Sequence, residues 1–345
     1  MLTLPVFFSF LLSTACSVLA GFNPNSKSNI VLYWGQNSAG QQSTQTRLSY
    51  YCNNGDVDVV LLAFLLRFNG AGGSPVMNFA NQGDRCTVFP GTETFSCPEI
   101  EADIKTCQSQ GKTIILSLGG DSYTEGGYPT ADAAREGAAK IWASFGPVQS
   151  GSSALRPFGT AVVDGFDFDF EANVNNMAVW ANRMRELMNA AGGRKYYLTA
   201  APQCPFPDWY NKDILDNVPL DWLNVQFYNN YCGVNSFQSG AAEQPNFNFK
   251  TWDEWARGTS KNRNMKVLVG VPANSRAAGA GHYISPEQLR PVLEFSKQFS
   301  SFAGVMMWDA SQAYTNGNFI GDVKGILRAF VKRGMRWGWR VEAGA

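Results

Sequence analysis

The chain reads Asp164-Gly165-Phe166-Asp167-Phe168-Asp169-Phe170-Glu171, a stretch in which acids and phenylalanines alternate. Side chains of a strand point alternately to its two faces, so Asp167, Asp169 and Glu171 share one face, with neighbours about 6.5–7 Å apart, and the three phenylalanines share the other. Three carboxylates in a row line up rather than surround an ion, and the phenylalanines argue against an exposed edge, so cation binding and a solvated strand face are both disfavoured. A carboxyl that is partly desolvated beside another negative charge has a raised pKa and can hold a proton near working pH. Glu171, nearest the end of the strand, is then a general acid, with a deeper Asp sharing or relaying charge. Cleavage of a glycosidic bond suits this set, because it needs an acid for the leaving oxygen and a partner for an oxocarbenium-like centre.

Such a strand needs a scaffold that turns one face inward and keeps it from water. Short apolar runs bounded by turn residues predict eight strands, at Asn29–Trp34, Val57–Phe64, Thr113–Leu118, Val162–Phe170, Tyr196–Ala200, Leu223–Tyr228, Met265–Val271 and Phe302–Trp308. Helical spacing predicts helices at Ser43–Tyr51, Ile100–Gln110, Ala131–Phe145, Asn176–Ala191, Tyr210–Asp216, Trp252–Arg257, Pro286–Phe299 and Asp322–Arg333. Strand and helix alternate at about 39 residues per unit, which implies an α/β fold, a single (β/α)8 TIM barrel. A doubly wound sheet would want a nucleotide loop, and Gly70-Ala71-Gly72-Gly73 has the wrong spacing and opens no helix. The predicted strands end in polar or aromatic residues: Tyr33-Trp34-Gly35-Gln36-Asn37, Gly119-Gly120-Asp121, Ala201-Pro202-Gln203, Gln226-Phe227-Tyr228-Asn229 and Trp308-Asp309. In a barrel they would ring one mouth.

Composition narrows the field further. Lys and Arg number 28 and so do Asp and Glu, giving no net charge and no basic patch for nucleic acid. With 45% hydrophobic and 13% aromatic residues the chain is neither disordered nor a coiled coil. Residues 1–20 carry no charge, hold an apolar run and end in small residues, which reads as a secretory signal peptide. No later stretch approaches the ~18 apolar residues of a membrane span. Without Cys16 six cysteines remain, Cys52, Cys86, Cys97, Cys107, Cys204 and Cys232, and an even count in an exported chain favours disulfides, with about fifteen pairings open. With His282 as the single histidine and no C-x-x-C pair, zinc is disfavoured, and no G-x-S-x-G accompanies that histidine for a serine triad.

At this point the residues carry a resemblance. Asp164 to Glu171 is similar to the D-G-x-D-x-D-x-E signature of family 18 glycoside hydrolases, and the chain resembles the fungal and plant-type class III endochitinases. Val31-Leu32-Tyr33-Trp34-Gly35-Gln36-Asn37, Ser117-Leu118-Gly119-Gly120, Leu198-Thr199-Ala200-Ala201-Pro202-Gln203-Cys204-Pro205, Val225-Gln226-Phe227-Tyr228-Asn229-Asn230 and Gly304-Val305-Met306-Met307-Trp308-Asp309 resemble that family's strand motifs, in order, from about residue 29 to 333. The resemblance implies a retaining, substrate-assisted mechanism, in which the N-acetyl oxygen of the substrate replaces an enzyme nucleophile. By motif position it implies that Glu171 protonates the glycosidic oxygen and later activates water. Asp169 would orient the acetamido N–H, Asp167 would modulate the charge of Asp169, and Tyr228 would donate to the acetamido oxygen. Tyr33, Phe64, Gly120, Gln226 and Trp308 become candidate substrate-binding residues, with Trp308 the floor under a pyranose ring. The resemblance further implies the pairs Cys52–Cys107, Cys86–Cys97 and Cys204–Cys232, and places to inspect for cis peptides at Ala63-Phe64 and Trp308-Asp309.

Two features depart from the pattern: Leu65-Leu66-Arg67, where relatives usually carry a polar residue that could bond the glycone, and the end from Lys332 to Arg340, which holds two tryptophans. The expected organisation is a signal peptide over 1–20, a catalytic barrel over 21–334 and a disordered tail over 335–345. The expected protein is a secreted monomer that acts on chitin or chito-oligosaccharides, with no cofactor, metal, nucleic acid or membrane span. A non-catalytic carbohydrate-binding or inhibitor barrel is the main rival, and an endo-β-N-acetylglucosaminidase is a second. The presence of Glu171, Asp169 and Tyr228 favours the enzyme, and the flanking motifs favour the chitinase.

Overall fold

The computed structural model describes residues 21–338. The expected signal peptide and residues 339–345 lie outside them. Eight strands run parallel: β1 (Asn29–Trp34), β2 (Val59–Arg67), β3 (Thr113–Gly120), β4 (Gly165–Phe170), β5 (Tyr197–Ala200), β6 (Trp222–Gln226), β7 (Lys266–Pro272) and β8 (Phe302–Trp308). Each pairs with its neighbours in sequence, and β1 pairs with both β2 and β8, so the sheet closes into a barrel without edges. Around it lie α1 (Leu48–Cys52), α2 (Pro98–Ser109), α3 (Ala131–Phe145), α4 (Met177–Ala191), α5 (Lys212–Asn217), α6 (Phe249–Gly258), α7 (Pro286–Ser296), the short α8 (Ala310–Tyr314) and α9 (Phe319–Gly338). The helix ends follow local chemistry. Thr130 caps α3 by accepting from Ala133 N, and Ser285 and Gln288 form a reciprocal capping box at α7 with Pro286 in its first turn.

Two apolar layers make the core. The larger lies between barrel and helices, and there the β4 phenylalanines pack edge-on against Trp180 of α4, Phe166 at 5.9 Å and Phe168 at 5.8 Å. The smaller fills the barrel interior and is closed at the N-terminal end by Phe22, whose ring stacks on Trp222 at 3.8 Å. Phe170, Phe168 and Phe166 therefore anchor β4 outward and leave Asp167 and Asp169 facing in, as the alternation predicts. Three disulfides, Cys52–Cys107, Cys86–Cys97 and Cys204–Cys232, tie the loops and helices outside the barrel.

The differences from the sequence expectation are at ends and loops. The last helix runs past Arg333 to Gly338, because no proline or strong stop interrupts the segment, so residues 335–338 of the expected tail continue the helix. A two-stranded hairpin at Thr87–Val88 and Phe95–Ser96, and α8, are too short to leave a periodic signal. Leu65 points into the outer core and is fully buried, so that residue of the apolar departure does not face the barrel mouth, whereas Leu66 and Arg67 beyond it are only partly buried. None of the described helices is long and apolar enough to cross a membrane.

Candidate active site

The register of the barrel decides what surrounds the acids. β3 and β5 flank β4 so that Ser117 and Thr199 both lie opposite Asp167. The fully buried Asp167 carboxylate accepts four hydrogen bonds, from Tyr33 Oη at 2.7 Å, Ser117 Oγ at 2.8 Å, Thr199 Oγ1 at 2.5 Å and Asn224 Nδ2 at 3.2 Å. Burial pushes its pKa up, and these donors oppose the rise by favouring the charged form. The Tyr33 hydroxyl is held far above its ordinary pKa by burial and by Asp167, so it stays a donor.

One step nearer the mouth, Asp169 and Glu171 share a donor. Gln226 Nε2 lies 2.9 Å from Asp169 Oδ1, 3.3 Å from Glu171 Oε1 and 3.1 Å from the Ala201 carbonyl. Burial, and then the charges of Glu171 and Asp167, push the Asp169 carboxyl well above its usual range. Burial also raises Glu171, opposed by the bond from Gln226, while Asp121 and Asp208 add to the rise. Two close carboxyls with raised pKa values hold a proton between them in conditions where free acids are ionised. Asp169 and Glu171 open onto a cavity of about 380 Å³ whose other lining residues include Phe64, Asp121, Gln203, Gln226, Tyr228, Asn230 and Trp308. Tyr228 is nearly buried, and among the described residues no protein group accepts from its hydroxyl, which burial and the adjacent acids keep protonated. It is therefore a free donor at the cavity wall.

The candidate aromatics divide between wall and support. Trp308 and Phe64 line the cavity as stacked rings with centroids 6.0 Å apart, each beside a cis peptide, Trp308-Asp309 and Ala63-Phe64. Asp309 then turns down, accepts from Ser38 N and caps α8. Tyr33 lies beneath them, 5.3 Å from the Trp308 ring, and is not part of the wall. Gly120 is not on the wall either. At φ +86° a Cβ there would come within 2.7 Å of the Phe64 ring, so the glycine makes room for Phe64.

The far lip is the part that residue types alone underdetermine. Gln203 accepts from Asn230 Nδ2 at 3.1 Å through its side-chain oxygen, which turns its amide NH2 toward Glu171. Its backbone N–H is held at 2.9 Å by Asp208, a buried carboxylate that also accepts from Asn211 N, while Asn211 donates to the Phe170 carbonyl. The Cys204–Cys232 bridge joins the two loops that carry Gln203 and Asn230. The strand-end motifs hold Asp121, Gln203 and Asn229, but nothing in them separates a wall residue from a loop anchor. Asn229, for example, lines the cavity and also fixes the loop of His282 by accepting from Gly279 N. Among the described residues, no group of three His, Cys, Asp or Glu side chains could hold a metal ion.

A closed parallel barrel whose fourth strand brings one buried aspartate and a rim glutamate to an aromatic-lined polar cavity, with a second aspartate buried beneath them, defines a glycosidase of the barrel class. Residues 29–313 match the model of glycosyl hydrolases family 18, and the chain belongs to that family. It is similar to Endochitinase 33 of Trichoderma harzianum, 56% identical over 319 residues, which cover 92% of this chain and 97% of that protein. A class III chitinase of Arthroderma benhamiae is 50% identical over 92% of this chain and 91% of its own length. Among solved structures, the chitinase ICChI from Ipomoea carnea matches with a TM-score of 0.69 and 27% identity, over 86% of this chain and 99% of that one. The xylanase and α-amylase inhibitor XAIP-II from Scadoxus multiflorus matches with the same TM-score and 29% identity, over 86% and 98%.

Proposed function

We propose that the chain is a secreted endochitinase that hydrolyses β-1,4-linked N-acetylglucosamine polymers with retention of configuration. Residues 1–20 serve as its export signal, 21–334 as its catalytic unit, and it works as a monomer. The observation that carries the reading is the pairing of Asp169 and Glu171 through Gln226 at the wall of a cavity floored by Trp308. Glu171 enters the cycle protonated and gives its proton to the leaving glycosidic oxygen. The acetamido oxygen of the sugar over Trp308 attacks the anomeric carbon and forms an oxazolinium ion, so the protein supplies no nucleophile. Asp169 accepts the acetamido N–H and balances the positive charge, Tyr228 donates to the acetamido oxygen, and Asp167 sets the charge on Asp169 from below. Glu171, now ionised, takes a proton from water, whose oxygen bonds to the anomeric carbon on the face the leaving group vacated as the bond from that carbon to the acetamido oxygen breaks, which restores both the acid and the acetamido group. The inhibitor barrel is disfavoured because the acid, its partner and a free tyrosine donor are all assembled.

The test is hydrolysis of a chitin tetramer by the wild type and by Glu171→Gln, with the product anomer read by proton NMR before mutarotation. Release of the β-anomer, and loss of about 10²–10⁴-fold in kcat in a variant that still binds the tetramer, supports the reading. Binding without cleavage by the wild type at every pH from about 3 to 8 overturns it in favour of a binding barrel.

A further inference from the structure

We infer that Trp209 and Tyr231 form an aromatic platform beside the cavity that receives the pyranose faces of a β-1,4-linked N-acetylglucosamine polymer, an inference that rests on the chitinase reading above. Both rings are left in water, Trp209 at 77% exposure and Tyr231 at 64%. Tyr50, also exposed, packs edge-on against Tyr51 and tilted against Tyr314, whereas among the described residues no aromatic ring packs on Trp209 or Tyr231. Scattered apolar residues on a surface need no explanation. These two are set apart by where their backbone is fixed.

Trp209 lies on the loop from β5 to α5 and Tyr231 on the loop from β6 to α6, both at the end of the barrel where the cavity opens. Asp208, the residue before Trp209, holds Gln203 N and Asn211 N, and Gln203 is a cavity wall residue. Asn230, the residue before Tyr231, is also in the wall and donates to Gln203. The Cys204–Cys232 bridge, with its Cα atoms 5.9 Å apart, locks one loop to the other. Each exposed ring therefore hangs from the neighbour of a wall residue, on backbone that need not be ordered again on binding. Trp209 also borders a shallow hollow with Lys212, Asp213, Asp216 and Asn217. A flat apolar surface edged by charged and amide groups matches a sugar ring, which has an apolar face and polar rim. The occupant is continuous with the substrate in the cavity, because the two disulfide-joined loops that carry Trp209 and Tyr231 also supply the wall residues Gln203 and Asn230, so the platform serves sugars that a short oligomer does not reach.

The experiment compares Trp209→Ala/Tyr231→Ala with wild type on insoluble chitin and on the soluble tetramer, and measures retention on chitin powder with Glu171→Gln as the background. The expected result is a roughly tenfold loss of polymer hydrolysis and retention, with tetramer kcat/KM within about twofold of wild type. Trp209→Phe/Tyr231→Phe should restore most of the loss. Undiminished polymer hydrolysis and retention, or an equal loss on polymer and tetramer, overturns the platform. Wild-type failure on the tetramer instead overturns the chitinase reading itself. Should the double variant fail to fold, the single variants Trp209→Ser and Tyr231→Ser carry the same comparison.

Discussion

Gln226 donates to Asp169 through the same amide nitrogen that reaches Glu171, at 2.9 Å and 3.3 Å, so one side chain sets the spacing of both acids. A donor to a carboxylate favours its charged form. Gln226→Leu removes that donor, so the Glu171 carboxyl moves further above its usual value and stays protonated to higher pH. In the proposed cycle Glu171 acts as the protonated acid, so the alkaline limb of the kcat/KM profile on the tetramer should shift to higher pH. The maximal rate should fall by about 10²-fold because Asp169 loses its orientation. A fall in rate with an unshifted alkaline limb would show that Gln226 shapes the cavity without setting the acid.

Tyr33 and Tyr228 are both buried tyrosines near Asp169, yet their hydroxyls have different work. Tyr33 is one of four donors to Asp167, whereas Tyr228 keeps its hydroxyl free at the cavity wall. Tyr33→Phe should cost about 1 kcal/mol of stability and leave kcat within a few-fold. Tyr228→Phe should leave the melting temperature unchanged and lower kcat by about 10²-fold with little change in tetramer affinity. Calorimetry and steady-state kinetics on the two variants separate the roles, and a large kcat effect from Tyr33→Phe would make it part of the binding wall.

Much of this site is legible from the chain because β4 obeys strict alternation. Phe166, Phe168 and Phe170 reveal which way the strand faces, and the acids follow. The eight strands are equally visible, since buried parallel strands read as apolar runs bounded by turns. What the chain hides depends on relationships across the barrel. The burial of Tyr33 under Trp308 and the service of Gly120 to the Phe64 ring are matters of depth and close approach, which residue type does not encode. The support of Gln203 by Asp208 and Asn230 joins two loops that meet only in space.

The Cys204–Cys232 bridge closes a 28-residue separation and holds the loops of Gln203 and Asn230 together. In the chain-entropy description a loop of that length stabilises by about 3.5 kcal/mol. Cys204→Ser/Cys232→Ser should lower the melting temperature accordingly. It should also reduce kcat on the tetramer at temperatures where the barrel remains folded, because Gln203 no longer faces Glu171 in one position. A variant that loses stability but keeps full kcat would show that Asp208 and Asn211 suffice to hold the lip.

Stability should depend on pH through the same carboxyls. Asp164, Asp167, Asp169, Glu171 and Asp208 all have native pKa values raised by burial. A group with a raised native pKa contributes stability that is fully present below its unfolded value and is lost as pH rises through its native value. The folded state should therefore weaken from mildly acidic to alkaline pH. Glu101 works the other way: its bond with Lys105 brings it down to about 2, so its small, partly exposed contribution disappears only as pH falls from its ordinary value toward that figure. The melting temperature should peak in mild acid and decline toward pH 8. Asp169→Asn removes a charge that its surroundings oppose, so it should flatten the decline and melt at or above the wild type at pH 8 while losing activity. A variant that melts below wild type at pH 8 with an unchanged slope would mean that Asp169 is not among the groups that set the decline.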